Sequence, residues 1–424
     1  MKKSKVFALA GVSLLAATFL AACSGSKESK SASGEDKTYG YVYNDDPITL
    51  DYTVSSKASV HDITTNGVDG LLENDKYGNL VPSIAEDWSV SKDGLTYTYK
   101  IRKGVKWYDA DGEEHGEVTA HDFVTGLQHA ADKKSETLPL VQDSVKGLKD
   151  YVDGKITDFS QVGVKAVDDY TLEYTLNQPE TFWNSKTTNG VLMPVNGEFL
   201  KSKGDDFGQP GDVKSILYNG PFLLKSITSK SEITFEKNEN YWDKDNVHIS
   251  KIKLSYYDGS DQDSLARAFS DGSYTTARLF PASSNFASVE AKYKDNIYNT
   301  QPGSGVAVLG FNIDRQAYNH TSKTSDDQKS STKKAILNKN FRQAITFALN
   351  RENYSAQVNG KDYAKAAIRN MYTAPAFVQV NGKDFGDVVA DKLQTYGDQW
   401  SGVNLADGQN GLYSKEKAKA QFEK

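Results

Sequence analysis

The sequence predicts a mixed α/β or α+β protein of several sub-domains, carried behind an export signal. Short runs that alternate apolar and polar residues recur along the chain, as half-buried strands require. Between them lie stretches with helical spacing and N-cap patterns, and no fixed repeat period joins the units. The first 22 residues differ in character: Lys2, Lys3 and Lys5 precede an apolar run over 6–22. A basic start followed by an apolar middle and small residues is an export layout, not part of a fold.

Composition bounds the rest. The 424 residues carry 50 Lys and Arg against 56 Asp and Glu, a net charge of -6. Three lysines and no acid sit in the signal, so the remainder stands near -9. That balance lacks the basic face that phosphate neutralisation demands, and it excludes nucleic acid as a partner. Apolar residues make up 38% and charged residues 25%, as in a soluble globular protein. About 400 residues beyond the signal suffice for two or three domains. No later run is long and apolar enough to span a bilayer. The 24 tyrosines and five tryptophans offer amphipathic contact area suited to a binding cleft, although most of the tyrosines serve strand packing.

Cys23 is the sole cysteine and follows Leu20-Ala21-Ala22. This arrangement resembles a bacterial lipobox, which implies lipid attachment at Cys23 and cleavage after residue 22. Each buried methylene contributes about 0.8 kcal/mol, and two acyl chains anchor stably where one does not. Residues 24–37 hold serine, glycine and charges with no apolar side chain larger than alanine. They read as a flexible tether of roughly 20 Å reach. An uncleaved anchor and an ordinary signal with a stray cysteine are the other readings of 6–22.

The first folded segment spans 39–69, with a strand at Tyr41-Val42-Tyr43 and a turn at Asp45-Asp46-Pro47. Residues 73–80 read as a hairpin connection and Ser91-Lys92-Asp93-Gly94 as a turn. Tyr97, Tyr99 and Ile101 alternate as one face of a strand, and Leu172, Tyr174 and Leu176 repeat the pattern. Thr119 with Asp122 forms a capping box ahead of a helix that runs to about Ala131. Asn219-Gly220-Pro221 punctuates the chain before Phe222-Leu223-Leu224; 252–256 is a further strand, and 262–270 a short helix. Asn340 with Gln343 is expected to cap another helix, with Phe341, Ile345, Ala348 and Leu349 on one face. Ser414 starts a last helix that reaches toward Lys424.

Catalytic chemistry is not evident. No Gly-x-Ser-x-Gly elbow, His-Glu-x-x-His pair or phosphate loop occurs. His115, His121 and His129 read as solvated surface residues, since His121 and His129 stand two helical turns apart. Carboxylate pairs such as Asp45-Asp46 and Asp205-Asp206 fall in loops, and no spacing selects a general acid and base. No catalytic residue, metal ligand or cofactor is expected, and the chain is not read as an enzyme.

A series of motifs narrows the class. In order come Gly70-Leu71-Leu72-Glu73, Gly78-Asn79-Leu80-Val81-Pro82, Ala85-Glu86-Asp87-Trp88, Arg102-Lys103-Gly104-Val105-Lys106-Trp107 and Val118-Thr119-Ala120-His121-Asp122-Phe123. Asn238-Glu239-Asn240-Tyr241-Trp242 and Phe341-Arg342-Gln343-Ala344 follow. The series resembles the extracellular solute-binding proteins of family 5, and within them the oligopeptide-binding lipoproteins of the Ami/Ali type.

That resemblance implies an α/β, two-lobed periplasmic-binding-protein-like fold with an extra sub-domain. Lobe one would comprise 38–69 plus 189–300, the inserted sub-domain 70–188, and lobe two 301–424 in part. The implied ligand is a short peptide held by its backbone between hinged lobes. The implied partners are ABC permease subunits and, through the lipid anchor, the outer face of the cytoplasmic membrane; the protein would be a monomer. Three segments match the family's cleft: Ser55, Ser56, Lys57 and Ala58; Thr275, Thr276, Ala277 and Arg278; and Gly303, Ser304 and Gly305, inside a crossing strand over 301–306. Glycine at 303 and 305 suits close approach of another backbone. Arg278 would take a ligand carboxylate or make a surface or interdomain salt bridge. Family members run past residue 424, so the second lobe is expected to be incomplete and this chain a poor peptide binder. A surface adhesin or a peptide-sensing receptor is the alternative function.

Overall fold

The computed structural model describes residues 37–424 except 77, 282, 299–306, 366, 369, 370, 374–377 and 404–411. Cys23, the expected signal and most of the tether lie outside the described residues, as do Gly303, Ser304, Gly305 and the crossing strand.

The chain opens with strand β1 (Thr38–Tyr43) and helix α1 (Ala58–Thr64). A hairpin of β2 (Leu72–Asn74) and β3 (Leu80–Pro82) leads into β4 (Ala85–Val90) and β5 (Thr96–Ile101). The short strands β6 (Lys106–Tyr108) and β7 (Glu114–Glu117) precede α2 (Ala120–Asp132) and α3 (Leu148–Val152). Then come β8 (Val164–Asp168), β9 (Thr171–Thr175), α4 (Trp183–Lys186) and α5 (Gly197–Lys203). Strands β10 (Phe222–Thr228), β11 (Glu232–Lys237) and β12 (Lys251–Tyr256) are followed by α6 (Gln262–Ser270) and α7 (Phe286–Tyr293). The last third holds α8 (Asp326–Leu337), α9 (Lys339–Ala348), α10 (Arg351–Tyr363), the ribbon β13 (Gln379–Val380) and β14 (Lys383–Asp384), α11 (Phe385–Gln394) and α12 (Lys415–Phe422). Helix α10 is broken at Gly360, whose φ is 71°.

One four-stranded sheet has the order β1-β12-β11-β10, with β1 parallel to β12 and the other pairs antiparallel. A parallel pair needs a long crossover, and here more than 200 residues of sequence separate the partners Tyr43 and Tyr256. The sheet buries Tyr43, Leu224, Ile233, Phe235 and Leu254 against Leu50, Ile63 and Tyr218. A second sheet, β4-β5-β9-β8, is antiparallel throughout. Tyr97, Tyr99 and Ile101 are buried there, as the alternation predicts, with Leu172, Tyr174, Trp183 and Phe123 and Leu127 of α2. Each large side chain so buried contributes roughly 1.5–3 kcal/mol.

Helix α2 starts where its capping box predicts: the Thr119 N–H donates to the Asp122 carboxylate at 2.8 Å. Tyr108 and Tyr218, both in the core of the first sheet, exchange backbone N–H···O=C bonds of 2.7 and 2.8 Å, and their chain neighbours Trp107 and Leu217 belong to the other core.

Among the described residues beyond 300, a small cluster of Phe347, Val403 and Ala418 is buried, with Leu393 and Trp400 packed on it. Helix α9 is capped by Asn338, not Asn340: the Asn338 side chain accepts the Phe341 N–H at 3.1 Å, while Asn340 is already inside the helix. The buried face is correspondingly shifted to Ala344 and Phe347, and Ala348 is exposed. Ser414 caps α12 as expected, accepting the Lys417 N–H at 3.2 Å.

Candidate functional site

Residues 49–57 form an irregular stretch before α1 whose polar groups are engaged one after another. Gly208 meets it on one side: its carbonyl accepts the Leu50 N–H (2.7 Å) and the Thr49 hydroxyl (2.8 Å). A Cβ on Gly208 would lie 2.5 Å from Asp51, and its φ is +73°, so both space and backbone demand glycine. Asp51 is buried; its Oδ1 accepts the Thr53 N–H and hydroxyl, and its Oδ2 accepts from His129 Nε2 at 2.7 Å. His129 is therefore not a solvated surface residue. The capping box sets the phase of α2, and that phase turns His129 inward onto Asp51. His115 and His121 are more exposed, 3.6 Å from Asp109 and 3.4 Å from Asp169 respectively.

Of the first predicted segment, Ser55 is buried and Ser56, Lys57 and Ala58 are exposed. The Ser55 carbonyl is bonded to His61 Nε2 (2.9 Å), and its hydroxyl accepts the Lys57 N–H (3.1 Å). The turn after α2 closes over the segment. The Ser135 hydroxyl donates to the Thr53 carbonyl (2.7 Å), the Glu136 N–H donates to the Val54 carbonyl (2.9 Å), and Ser56 donates its N–H and hydroxyl to Glu136 Oε2 (2.9 and 2.6 Å). Those donations hold the Glu136 carboxyl below its ordinary value, the hydroxyl most of all.

The second segment lies along the outer edge of β1. The Thr275 N–H donates to the Gly40 carbonyl (2.8 Å), and the Gly40 N–H donates to the Thr275 hydroxyl (2.9 Å). A Cβ on Gly40 would come 2.5 Å from the Ser273 carbonyl oxygen, so this approach needs a bare backbone. Thr276 shares a 3.3 Å bond with the Tyr39 hydroxyl, and Ala277 is half-buried. Arg278 is exposed, and its guanidinium lies over the Phe280 ring at 4.6 Å; no ion pair to it occurs among the described residues. Among the described residues its contact is thus of the cation–π kind.

No hydrogen bond or ion pair among the described residues joins the 55–58 and 275–278 segments. A cavity of about 200 Å³ between α1 and 188–193 is lined by Tyr52, His61, Thr64, Val68, Asn189 and Met193, and by none of the predicted site residues. Among the described residues, no group of three His, Cys, Asp or Glu side chains is placed to hold a metal. No helix among them is long and apolar enough to cross a membrane.

Two carboxyls sit in low-dielectric surroundings near the seam of the two cores. Burial raises Asp69 to about 7, against the opposing bond it accepts from the Tyr241 hydroxyl at 2.7 Å. Burial likewise raises Asp122 to about 6, against the Thr119 N–H and Trp107 Nε1 bonds. Asp69 thereby bonds across the fold to Tyr241, and Asp122 joins the start of α2 to Trp107. Sequence reasoning passed over Asp51, Ser135 and Glu136. Each was one polar residue among many, and their only signal was the position of Ser135 and Glu136 directly after a capped helix.

Known structures share this architecture. Over 92% of this chain and 68% of the other, it superposes on Listeria monocytogenes OppA bound to peptide with a TM-score of 0.63 at 24% identity. An oligopeptide ABC transporter substrate-binding domain from Bacillus anthracis matches with a TM-score of 0.64 at 23% identity, over 92% of this chain and 66% of that one. The fold is the two-lobed α/β fold of solute-binding proteins. Residues 79–424 match the bacterial extracellular solute-binding proteins, family 5 Middle, and the chain belongs to that family. It is 64% identical to the oligopeptide-binding protein AmiA of Streptococcus pneumoniae, over all of this chain and 64% of the relative. Identity to the oligopeptide-binding protein SarA of Streptococcus gordonii is 62%, again over the whole chain and 64% of the relative. The chain thus spans just under two thirds of the length of these relatives.

Proposed function

We propose that this protein captures short peptides between two hinged lobes and delivers them to the permease subunits of an ABC importer. The observation that carries the reading is the 64% identity to an oligopeptide-binding protein along the entire chain. The binding residues in this reading are Ser55, Ser56, Lys57 and Ala58, then Thr275, Thr276, Ala277 and Arg278, with Gly303, Ser304 and Gly305. The peptide is gripped through its backbone, which leaves side-chain choice broad. Lobe one is 38–69 with 189–300, the inserted sub-domain 70–188, and 301–424 belongs to lobe two. The sheet built from β1 and β10–β12, and the separate core around Trp183, support that division. The protein acts without catalysis, as a monomer, tethered through lipid on Cys23 to the outer face of the cytoplasmic membrane. Import is favoured over an adhesin or sensing receptor by the family and by the names of the relatives.

Calorimetry against a pool of short peptides tests the reading. Heat of binding is expected for many sequences from a chain carried on to the length of its relatives. Selective binding of a sugar or a metal ion, with no peptide signal, overturns it.

A further inference from the structure

Residues 55–57 of the candidate cleft segment precede α1 and belong to no regular element. Their shape therefore depends on what holds them. Helix α1 begins only at Ala58, and Lys57 ahead of it is extended (φ -77°, ψ 130°). Exposed residues such as Ser56 and Lys57 sample many backbone conformations unless their polar groups are tied down. Bonds to the 135–136 turn help to do so: Ser135 hydroxyl to the Thr53 and Val54 carbonyls, Glu136 N–H to Val54 carbonyl, and the Ser56 N–H and hydroxyl to Glu136 Oε2. Only the last two reach the candidate binding residues themselves, and both end on one carboxylate oxygen. Charge-assisted bonds of 2.6 and 2.9 Å to a shared acceptor fix the Ser56 backbone and side chain together.

We propose that Glu136 is a positioning residue for peptide binding: it holds Ser56, and through it residues 55–58, in the shape that receives the ligand. This rests on the reading of 55–58 as part of a peptide cleft. Glu136 is exposed and sits 80 residues away in sequence, so its contribution to the stability of the core is small. Its effect instead lies in preorganisation. Without the clamp, the ordering of 55–58 is deferred to the moment of binding and weakens it.

In a chain carried on to the length of its relatives, the test compares wild type, Glu136→Ala, Glu136→Gln and Ser56→Ala by calorimetry with a pool of short peptides, by thermal melting, and by amide hydrogen exchange without peptide. Glu136→Ala is expected to bind roughly tenfold more weakly, to melt within about 3 °C of wild type, and to exchange the Ser56 amide faster. Glu136→Gln keeps an acceptor oxygen and recovers most of the affinity. Ser56→Ala keeps the N–H bond and loses less than Glu136→Ala. Equal peptide affinity in wild type and Glu136→Ala overturns the positioning role, as does an unchanged exchange rate at Ser56. A wild type that binds no peptide overturns the cleft reading itself and with it the ligand-directed role of Glu136; the exchange measurement then reports separately on the clamp.

Discussion

His129 Nε2 donates to Asp51 Oδ2 across 2.7 Å, with only 7% and 8% of the two side chains exposed. The contact ties α2 to the stretch that leads into Ser55. The pair is buried and hydrogen-bonded, so removal of one partner leaves the other without it in low dielectric.

His129→Leu should therefore destabilise the protein by about 1–3 kcal/mol, while the double change Asp51→Leu with His129→Leu should cost less than the sum of the singles. Chemical denaturation of the set measures this. A single-variant loss below about 1 kcal/mol would show that the Thr53 bonds alone satisfy Asp51.

Acidity should favour the fold in a defined window. Asp69 at about 7 and Asp122 at about 6 both stand above the ordinary 3.8. The folded state then holds these protons more tightly than the unfolded state. Their contribution to stability is full below about pH 3.8 and is lost as pH rises through 6 and then 7. Relative to Asp69→Asn, wild type should lose melting temperature between about pH 5 and pH 8. Parallel melting curves for the two proteins across that range would contradict the assignment.

Proteolysis should discriminate between the parts of the chain. The core that contains Trp107, Phe123 and Trp183 buries 29 described residues, whereas the cluster around Phe347 buries three. Tyr354, Tyr372 and Tyr396, in the same part of the sequence, are largely exposed. Local opening is easiest where few apolar contacts resist it, so a limiting protease should cut first after residue 300 and spare 71–192. First cuts inside 71–192 would reverse that ranking.

Cys23→Ala should release the protein into the medium or leave an uncleaved precursor, because the proposed acylation site is lost. Fractionation of cells that carry the variant reads this directly. Processing and membrane retention equal to wild type would exclude lipid attachment at Cys23.

Arg278→Ala should weaken peptide binding by about 1.5–3 kcal/mol if the guanidinium leaves Phe280 to meet a ligand carboxylate. Calorimetry with peptides that end in a free acid or an amide separates the charge effect from packing. Equal affinities for both peptides, in wild type and variant alike, would leave Arg278 with its ring contact alone.

Local pattern made much of the architecture legible. Alternation identified β5 and β9 because side chains on a strand project with period two, so burial of one face is written directly into neighbouring residues. The capping box at Thr119 and Asp122 and the cap at Ser414 were readable for the same reason: donor and acceptor lie within one turn. The cap at Asn338 was misplaced by two residues because asparagine stands at both 338 and 340, and only backbone geometry chooses between them.

The sequence by itself determined strands β5 and β9 and the starts of α2 and α12, and it carried the ordered family motifs. Tertiary structure alone decided that His129 meets Asp51, that Glu136 grips Ser56, and that Gly40 admits the Ser273 carbonyl beside β1. Asp51 and His129 are 78 residues apart in sequence, and Ser56 and Glu136 are 80 apart. Periodicity acts over a few residues and carries no information at such range. Long-range partners are chosen by the packing of whole sheets and helices, which places one carboxylate among many against one particular donor.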